Sequence, residues 1–163
     1  VAYKITGWRF ATLFQFFFGD KTMNLYKQFN TDTKRERDGI TLQYGFVDEA
    51  QTKPITIRIA RAGGSNAAYK RVLENRVKPY RRQIQNETLD LDTMTAIMRE
   101  VYAETIVLGW NNVQDAEGND LAFSKENVIK LFTDLPELFE DVQNAASTQA
   151  LFRQETLEQE AKN

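Results

Sequence analysis

From Gly39 onward the chain changes hydrophobic period twice. Ile40-Thr41-Leu42-Gln43-Tyr44-Gly45-Phe46-Val47 alternates apolar and polar positions, as a half-buried strand does. Ile55-Thr56-Ile57-Arg58-Ile59-Ala60 repeats the alternation, and the polar link from Asp48 to Pro54 predicts an antiparallel hairpin with a loose loop. A lone hairpin is marginal in water and must lie on something. Helices supply that support after Gly63-Gly64-Ser65-Asn66, where two flexible glycines and a capping side chain announce a helix start. That helix is expected from about Ala67 to Val77, with a kink near Pro79 and a continuation through Ile84.

The second half is helical throughout. Asp90 or Asp92 caps a stronger helix in which Met94, Ile97, Met98, Val101, Thr105 and Leu108 keep helical spacing, and Gly109 is expected to end it beside Trp110. After a polar turn, Ser124 caps a helix with Val128, Leu131 and Phe132 inward. Asp134-Leu135-Pro136-Glu137 starts another, with Leu138, Phe139 and Val142 as its stripe. Leu151 and Phe152 continue a last helical stretch, and residues 158–163 are polar enough to fray. Ahead of the hairpin, Asn24 to Asn30 is a short helical or irregular lead, and Thr31 to Asp38 is a polar run without a motif. The fold class is therefore mainly α (α+β): a small N-terminal β-hairpin packed on a compact set of about five short helices.

Residues 1–22 break this pattern by crowding Trp8, Phe10, Leu13, Phe14, Phe16, Phe17 and Phe18 together. A signal peptide fits poorly, because Lys4 and Arg9 precede only a brief apolar core without a small-residue cleavage site. We read the stretch as an atypical aromatic extension upstream of a natural start at Met23, the alternative being that its rings join the core or a self-association surface. Residues 23–157 then form a single, mainly helical domain.

Composition narrows the chemistry. With no histidine and no cysteine among 163 residues, the usual means of proton shuttling, thiol nucleophilicity and transition-metal ligation are missing. A formal net charge of −2 gives no global pull toward nucleic acid or anionic lipid, and the longest apolar cluster, Phe14 to Phe18 and its neighbours, is too short to cross a bilayer. No catalytic residue, cofactor or metal ligand is assigned.

Four local patterns stand out against that background. Gly63-Gly64 could cradle a phosphate, but no Walker lysine or dinucleotide fingerprint accompanies it. Between Arg58 and Arg82 the cations Arg58, Arg61, Lys70, Arg71, Arg76, Lys78, Arg81 and Arg82 face Glu74 alone, a strip that could track phosphates with Tyr69 and Tyr80 as stacking platforms. A solvated helix face, or a contact for an acidic partner or a second copy, is the preferred account. Asp115, Glu117, Asn119 and Asp120, with Glu126 further on, mimic a calcium loop, yet its sharp-turn position holds Asp120 where glycine is required. Asp90 with Asp92, or Asp115 with Glu117, could pair as acid and base, although neighbouring carboxylates at caps and turns are usually only that.

The order of the motifs carries more than any one of them. Arg58 to Asn66 with its Gly-Gly-Ser-Asn helix start, Tyr102-Ala103-Glu104, Leu108-Gly109-Trp110, Asp115 to Gly118, Phe123-Ser124 through Asn127, Leu135-Pro136-Glu137-Leu138-Phe139, Phe152 and the final Lys162-Asn163 together resemble the tail assembly chaperones of long-tailed bacteriophages. The likeness runs from about Gly39 onward.

The resemblance implies a non-enzymatic protein of the infected host's cytoplasm, outside the mature virion. Such a protein binds the helical tape measure protein and keeps it soluble while tail tube subunits assemble around it. The family commonly makes a longer product by ribosomal frameshifting, through which the tail tube protein is contacted. Ala161-Lys162-Asn163 is compatible with an A-rich slippery site at the end of the short product. In that setting Leu131, Phe132, Leu138, Phe139, Leu151 and Phe152 are candidates for a groove that occupies a client's apolar stripes. Trp110, at a helix terminus beside a flexible loop, is the candidate exposed anchor, and Arg71, Arg81 and Arg82 are further candidate partner contacts. Ordinary core packing is the competing account for each apolar residue. Self-association is expected, a membrane is not, and nucleic-acid binding through the basic strip is the alternative function.

Overall fold

The computed structural model describes residues 24–153. The aromatic extension and the polar tail read from the sequence lie outside the described residues. The chain divides into two compact units, the first ending at Asn30 and the second beginning at Thr31. The described part of the first is a single-turn helix, α1 (Leu25–Phe29), extended by the Asn30 amide donating to the Tyr26 carbonyl.

The second unit is α+β, a small antiparallel sheet with compact helices. It opens with a helix that sequence pattern did not reveal, α2 (Thr33–Asp38), whose N-terminus is capped by the Asp32 carboxylate accepting from the Lys34 and Arg35 amides at 2.9 and 3.2 Å. Gly39 turns the chain into the sheet at a φ of +88°, a conformation that side chains resist. A Cβ there would sit 2.7 Å from the Ile59 carbonyl oxygen.

The hairpin forms as expected, from β1 (Ile40–Phe46) and β2 (Pro54–Ile59), with Ile40 opposite Ile59 and Leu42 opposite Ile57. Its loop is not loose. Asp48 accepts hydrogen bonds from the Thr52 hydroxyl and from the Thr52 and Lys53 amides, and these hold its carboxyl at about 2, below the usual carboxylate range.

After the loop that follows β2, α3 (Ala67–Val77) begins under the Asn66 cap, whose side-chain oxygen accepts from the Tyr69 amide. A 3-10 turn at Lys78–Tyr80 holds Pro79, and α4 (Arg81–Gln85) continues beyond it. Asp90 caps α5 (Leu91–Thr105) through the Thr93 amide and hydroxyl, both at 2.8 Å.

The central helix does not reach Leu108. It stops at Thr105, and Val107–Asn111 is a third strand, β3, antiparallel to β2 in the order β1-β2-β3. Thr105-Ile106-Val107 is a run of three β-branched residues, which favours extended backbone over a further helical turn. The Ala60 amide donates to the Ile106 carbonyl and prolongs the pairing, so Gly109 lies within a strand and ends no helix.

Ser124 caps α6 (Lys125–Asp134) through the Asn127 amide. The next cap differs from expectation. Leu135 is at once the last boundary of α6 and the first of α7 (Pro136–Ser147), while Asp134 is still helical and is bound by the Lys130 ammonium at 2.9 Å. With no room for a capping turn, Pro136 alone sets the helical start. A 3-10 turn at Gln149–Phe152 closes the unit: the Phe152 carbonyl accepts from the Asp32 amide, and the Arg153 carbonyl from Arg35 Nη1.

The core lies between the inner sheet face and the helices. Ile57 and Ile59 cluster with Tyr102 and Ile106 of the α5 region, Val128 and Phe132 of α6 and Phe139 and Val142 of α7. Tyr102 stands edge-on to both Tyr69 and Phe139, at 6.0 and 5.5 Å between ring centres, which joins α3, α5 and α7. Arg76 of α3 adds an ion-pair link to Glu100 and Glu104 of α5, and Lys125 joins Glu104 from α6. Among the described residues no helix is long and apolar enough to cross a membrane.

Candidate functional site

The apolar residues singled out from sequence part into two groups. Phe132, Phe139 and Phe152 are 1%, 4% and 0% exposed and belong to the core, so they cannot offer a surface to a partner without unfolding their surroundings. Their stripes were real, but they face the protein's own interior. Leu131 is also buried, Leu138 packs partly against the core, and Leu151 remains exposed.

Trp110 is likewise not an anchor at a helix end. It lies on the inner face of β3 opposite Ile57, its indole N–H donates to the Leu121 carbonyl at 2.8 Å, and Phe123 meets it edge-on at 5.3 Å. The indole nitrogen is therefore satisfied within the chain, and the exposed ring of the pair is Phe123.

The basic strip is partly engaged within the chain. Arg61 pairs with Glu36, Arg76 with two glutamates, Arg81 with Glu74, and the Lys70 ammonium donates to the Gly64 carbonyl. Arg58, Arg71, Lys78 and Arg82 stay exposed, spread over β2, α3, the 3-10 turn and α4. Tyr69 stands edge-on to the Tyr102 ring.

Two loops that look ligand-like in sequence have already filled their own sites. The Gly63–Asn66 loop does cradle an anion, but that anion is the side chain of Glu36 from α2, which is 1% exposed. Glu36 accepts from the Ser65 amide at 2.8 Å, the Ser65 hydroxyl, the Thr31 hydroxyl at 2.6 Å and the Arg61 guanidinium. Burial pushes its carboxyl pKa up, yet these donors, Ser65 foremost, overcome that and hold it at about 2. Gly64 leaves the room: a Cβ there would lie 2.6 Å from Glu36 Oε1. The signal sequence reasoning missed was Asp32, a helix cap three positions before Arg35 inside an apparently featureless polar run.

The calcium-like segment is a tight turn nucleated by Asp115. Its carboxylate accepts from the Glu117 and Asn119 amides at 3.0 and 2.8 Å and from the Asn119 side chain, while Gly118 supplies a φ of +84°. Gln114 and Asp120 bridge across its base. Among the described residues no three acidic side chains are grouped as a metal site.

Beside this turn lies an apolar cleft. Ala116 and Leu121 of the turn face Leu131 and Leu135 at the end of α6, with Gln114, Asp115, Lys130 and Asp134 at the mouth. Leu135 is 49% exposed, held outward by its position between two helices.

Comparison with known families bears on this half of the molecule. The model of the YdaY prophage protein family matches residues 64–163, more than half of the chain. The chain belongs to that family. No curated protein and no solved structure matches it. Prophage origin follows from the YdaY assignment, and the matched span takes in α3 to α7, β3, the Asp115 turn and the cleft. The hairpin and Glu36 precede the span, whereas the Ser65 donors and Gly64 that receive Glu36 fall within its first two residues.

Proposed function

We propose that this YdaY-family chain is a tail assembly chaperone: it binds the tape measure protein in the host cytoplasm, keeps it soluble and helps tail tube subunits polymerise around it. The observation that carries the reading is positional. The motifs from Tyr102 to the C-terminus that resemble such chaperones all fall within the span matched by a prophage family.

The surface supports it in outline. Phe123, Leu135 and Leu151 are large apolar side chains left exposed in the matched half, and they are the kind of group that occupies a client's apolar stripe before the tube covers it. The role asks for no bond making or breaking, and the protein takes no place in the finished virion. Self-association would multiply weak contacts along one long client.

Co-expression of the full chain with the tape measure protein of the same prophage tests the reading. Soluble tape measure protein that co-purifies with the chain, and precipitates without it, is the expected result. Failure to recover any tail component in mild buffer overturns the reading. Salt-sensitive retention of DNA that is lost when Arg71, Lys78 and Arg82 become glutamate would put the nucleic-acid function in its place.

A further inference from the structure

We propose that the cleft between the Asp115 turn and the α6–α7 corner is a docking site for a basic amphipathic helix, one that places an apolar side chain against Leu121, Leu131 and Leu135 and flanks it with lysine or arginine. The proposal rests on the chaperone reading for the identity of the partner, a segment of the client, and on the cleft itself for the partner's chemistry.

The floor is apolar, and its outer lip, Leu135, is half exposed to solvent. Both walls are acidic. The turn contributes Asp115, with the charge of Glu117 reaching Lys130 from the same side, and the corner contributes Asp134.

The one cation at the mouth, Lys130, is neutralised by Asp134 at 2.9 Å. That bond raises its proton affinity, and the charges of Asp115 and Glu117 add to the effect, so the field of the turn reaches across the cleft. An apolar slot between two negative walls discriminates among amphipathic helices by the sign of the flanking charges, attracting basic ones and repelling acidic ones.

Two synthetic helical peptides provide the test, one with leucines at helical spacing flanked by lysines and the other identical but flanked by glutamates. Each is fluorescently labelled and titrated with the full chain. The lysine peptide is expected to bind at least about tenfold more tightly, with affinity falling as salt is raised. Leu135→Ser is expected to weaken it by about tenfold or more. Because serine is a good residue at a helix N-cap and Leu135 occupies that position of α7 without a side-chain bond, the variant's unfolding midpoint should be no lower than that of the parent. Reversing the charge on the turn side with Glu117→Lys should weaken the lysine peptide and narrow the preference between the two peptides.

Equal binding of the two peptides, or undiminished binding by Leu135→Ser, overturns the proposal. So does a loss of self-association in Leu135→Ser without loss of peptide binding, which would make a second copy the occupant. The chaperone reading is scored separately with the tape measure protein. If both the parent and Leu135→Ser recover the client, that reading stands and the cleft falls. If the lysine peptide binds at the cleft while no tail component is ever recovered, the cleft stands and that reading falls.

Discussion

The Gly63–Asn66 loop and the Asp115 turn make an instructive pair, because each carries the residues of a ligand site and each spends them on the protein itself. In the first, amide, hydroxyl and guanidinium donors converge on a carboxylate that arrives from a separate helix and is almost wholly buried. In the second, a carboxylate gathers amides from its own next four residues, in the open. A loop's capacity for a ligand is what remains after its own chain has been served, and here that remainder is small in both. The energetic weight is not equal. The buried arrangement fastens α2 to the start of α3, whereas the exposed one shapes only itself.

The largest effect expected from that difference is at Glu36. Glu36→Ala leaves Arg61 and the Ser65 donors without their buried acceptor, and a loss of about 3 kcal/mol in urea unfolding is expected, the lower end for a buried pair because Arg61 and Ser65 keep access to water. A loss no greater than that of an ordinary surface substitution would break the comparison. Gly64→Ala should follow at about 1–3 kcal/mol, since it combines a backbone φ of +53° with a methyl group placed 2.6 Å from Glu36 Oε1 and 2.7 Å from Arg61 Nη1. In a Glu36→Ala background most of the steric part should disappear, and a double-mutant cycle of the two reads that coupling directly.

Acid sharpens the same contrast. Glu36 titrates near 2 in the folded chain against an ordinary value of 4.5, so below 4.5 the unfolded chain binds a proton that the folded chain refuses. The stability that Glu36 supplies is fully present above pH 4.5 and is lost progressively as pH falls toward 2. Urea midpoints across that window should fall more steeply in the parent than in Glu36→Gln, whose side chain does not titrate. Parallel curves would mean that other carboxylates, not Glu36, set the acid limit.

What could be read beforehand follows the same division between local and distant causes. The caps at Asn66, Asp90 and Ser124 and the break at Pro79 were legible because each depends on a few neighbouring residues. β3 was hidden because Leu108 continues the helical spacing of α5, and only pairing with β2, some fifty residues earlier, shows Val107–Asn111 to be a strand. The failure at Asp134 has the opposite cause: the cap pattern was present, but α6 and α7 share Leu135 and leave no turn for it to act in.

Phe132, Phe139 and Phe152 show the limit for function. An apolar stripe reports that a helix buries one face, not whether the cover is its own chain or another. Leu135 escaped notice as a surface group for the same reason, since it sits in a motif that is explained completely by helix initiation. The α+β architecture survived these errors because alternation identified the β1–β2 hairpin and caps identified α3, α5 and α6, whereas exposure depends on how the elements meet.

The smallest effect is expected at Asp115, and it tests the comparison from the other side. Asp115→Ala removes the acceptor of the Glu117 and Asn119 amides, but both lie at the surface, where water takes over at once. Hydrogen exchange at those two amides should therefore quicken while the global unfolding midpoint barely moves, because the turn opens locally without involving the core. The accepting bonds, those from Asn119 foremost, hold the Asp115 carboxyl below its ordinary value, so whatever it adds is present near neutrality and fades in acid. Calcium supplied to the parent should leave the midpoint where it is, since a carboxylate engaged by three donors offers a cation little and no further acids converge on it. A midpoint that rises with calcium in the parent, and no longer does so in Asp115→Ala, would show that this turn keeps a vacancy the Glu36 cradle lacks.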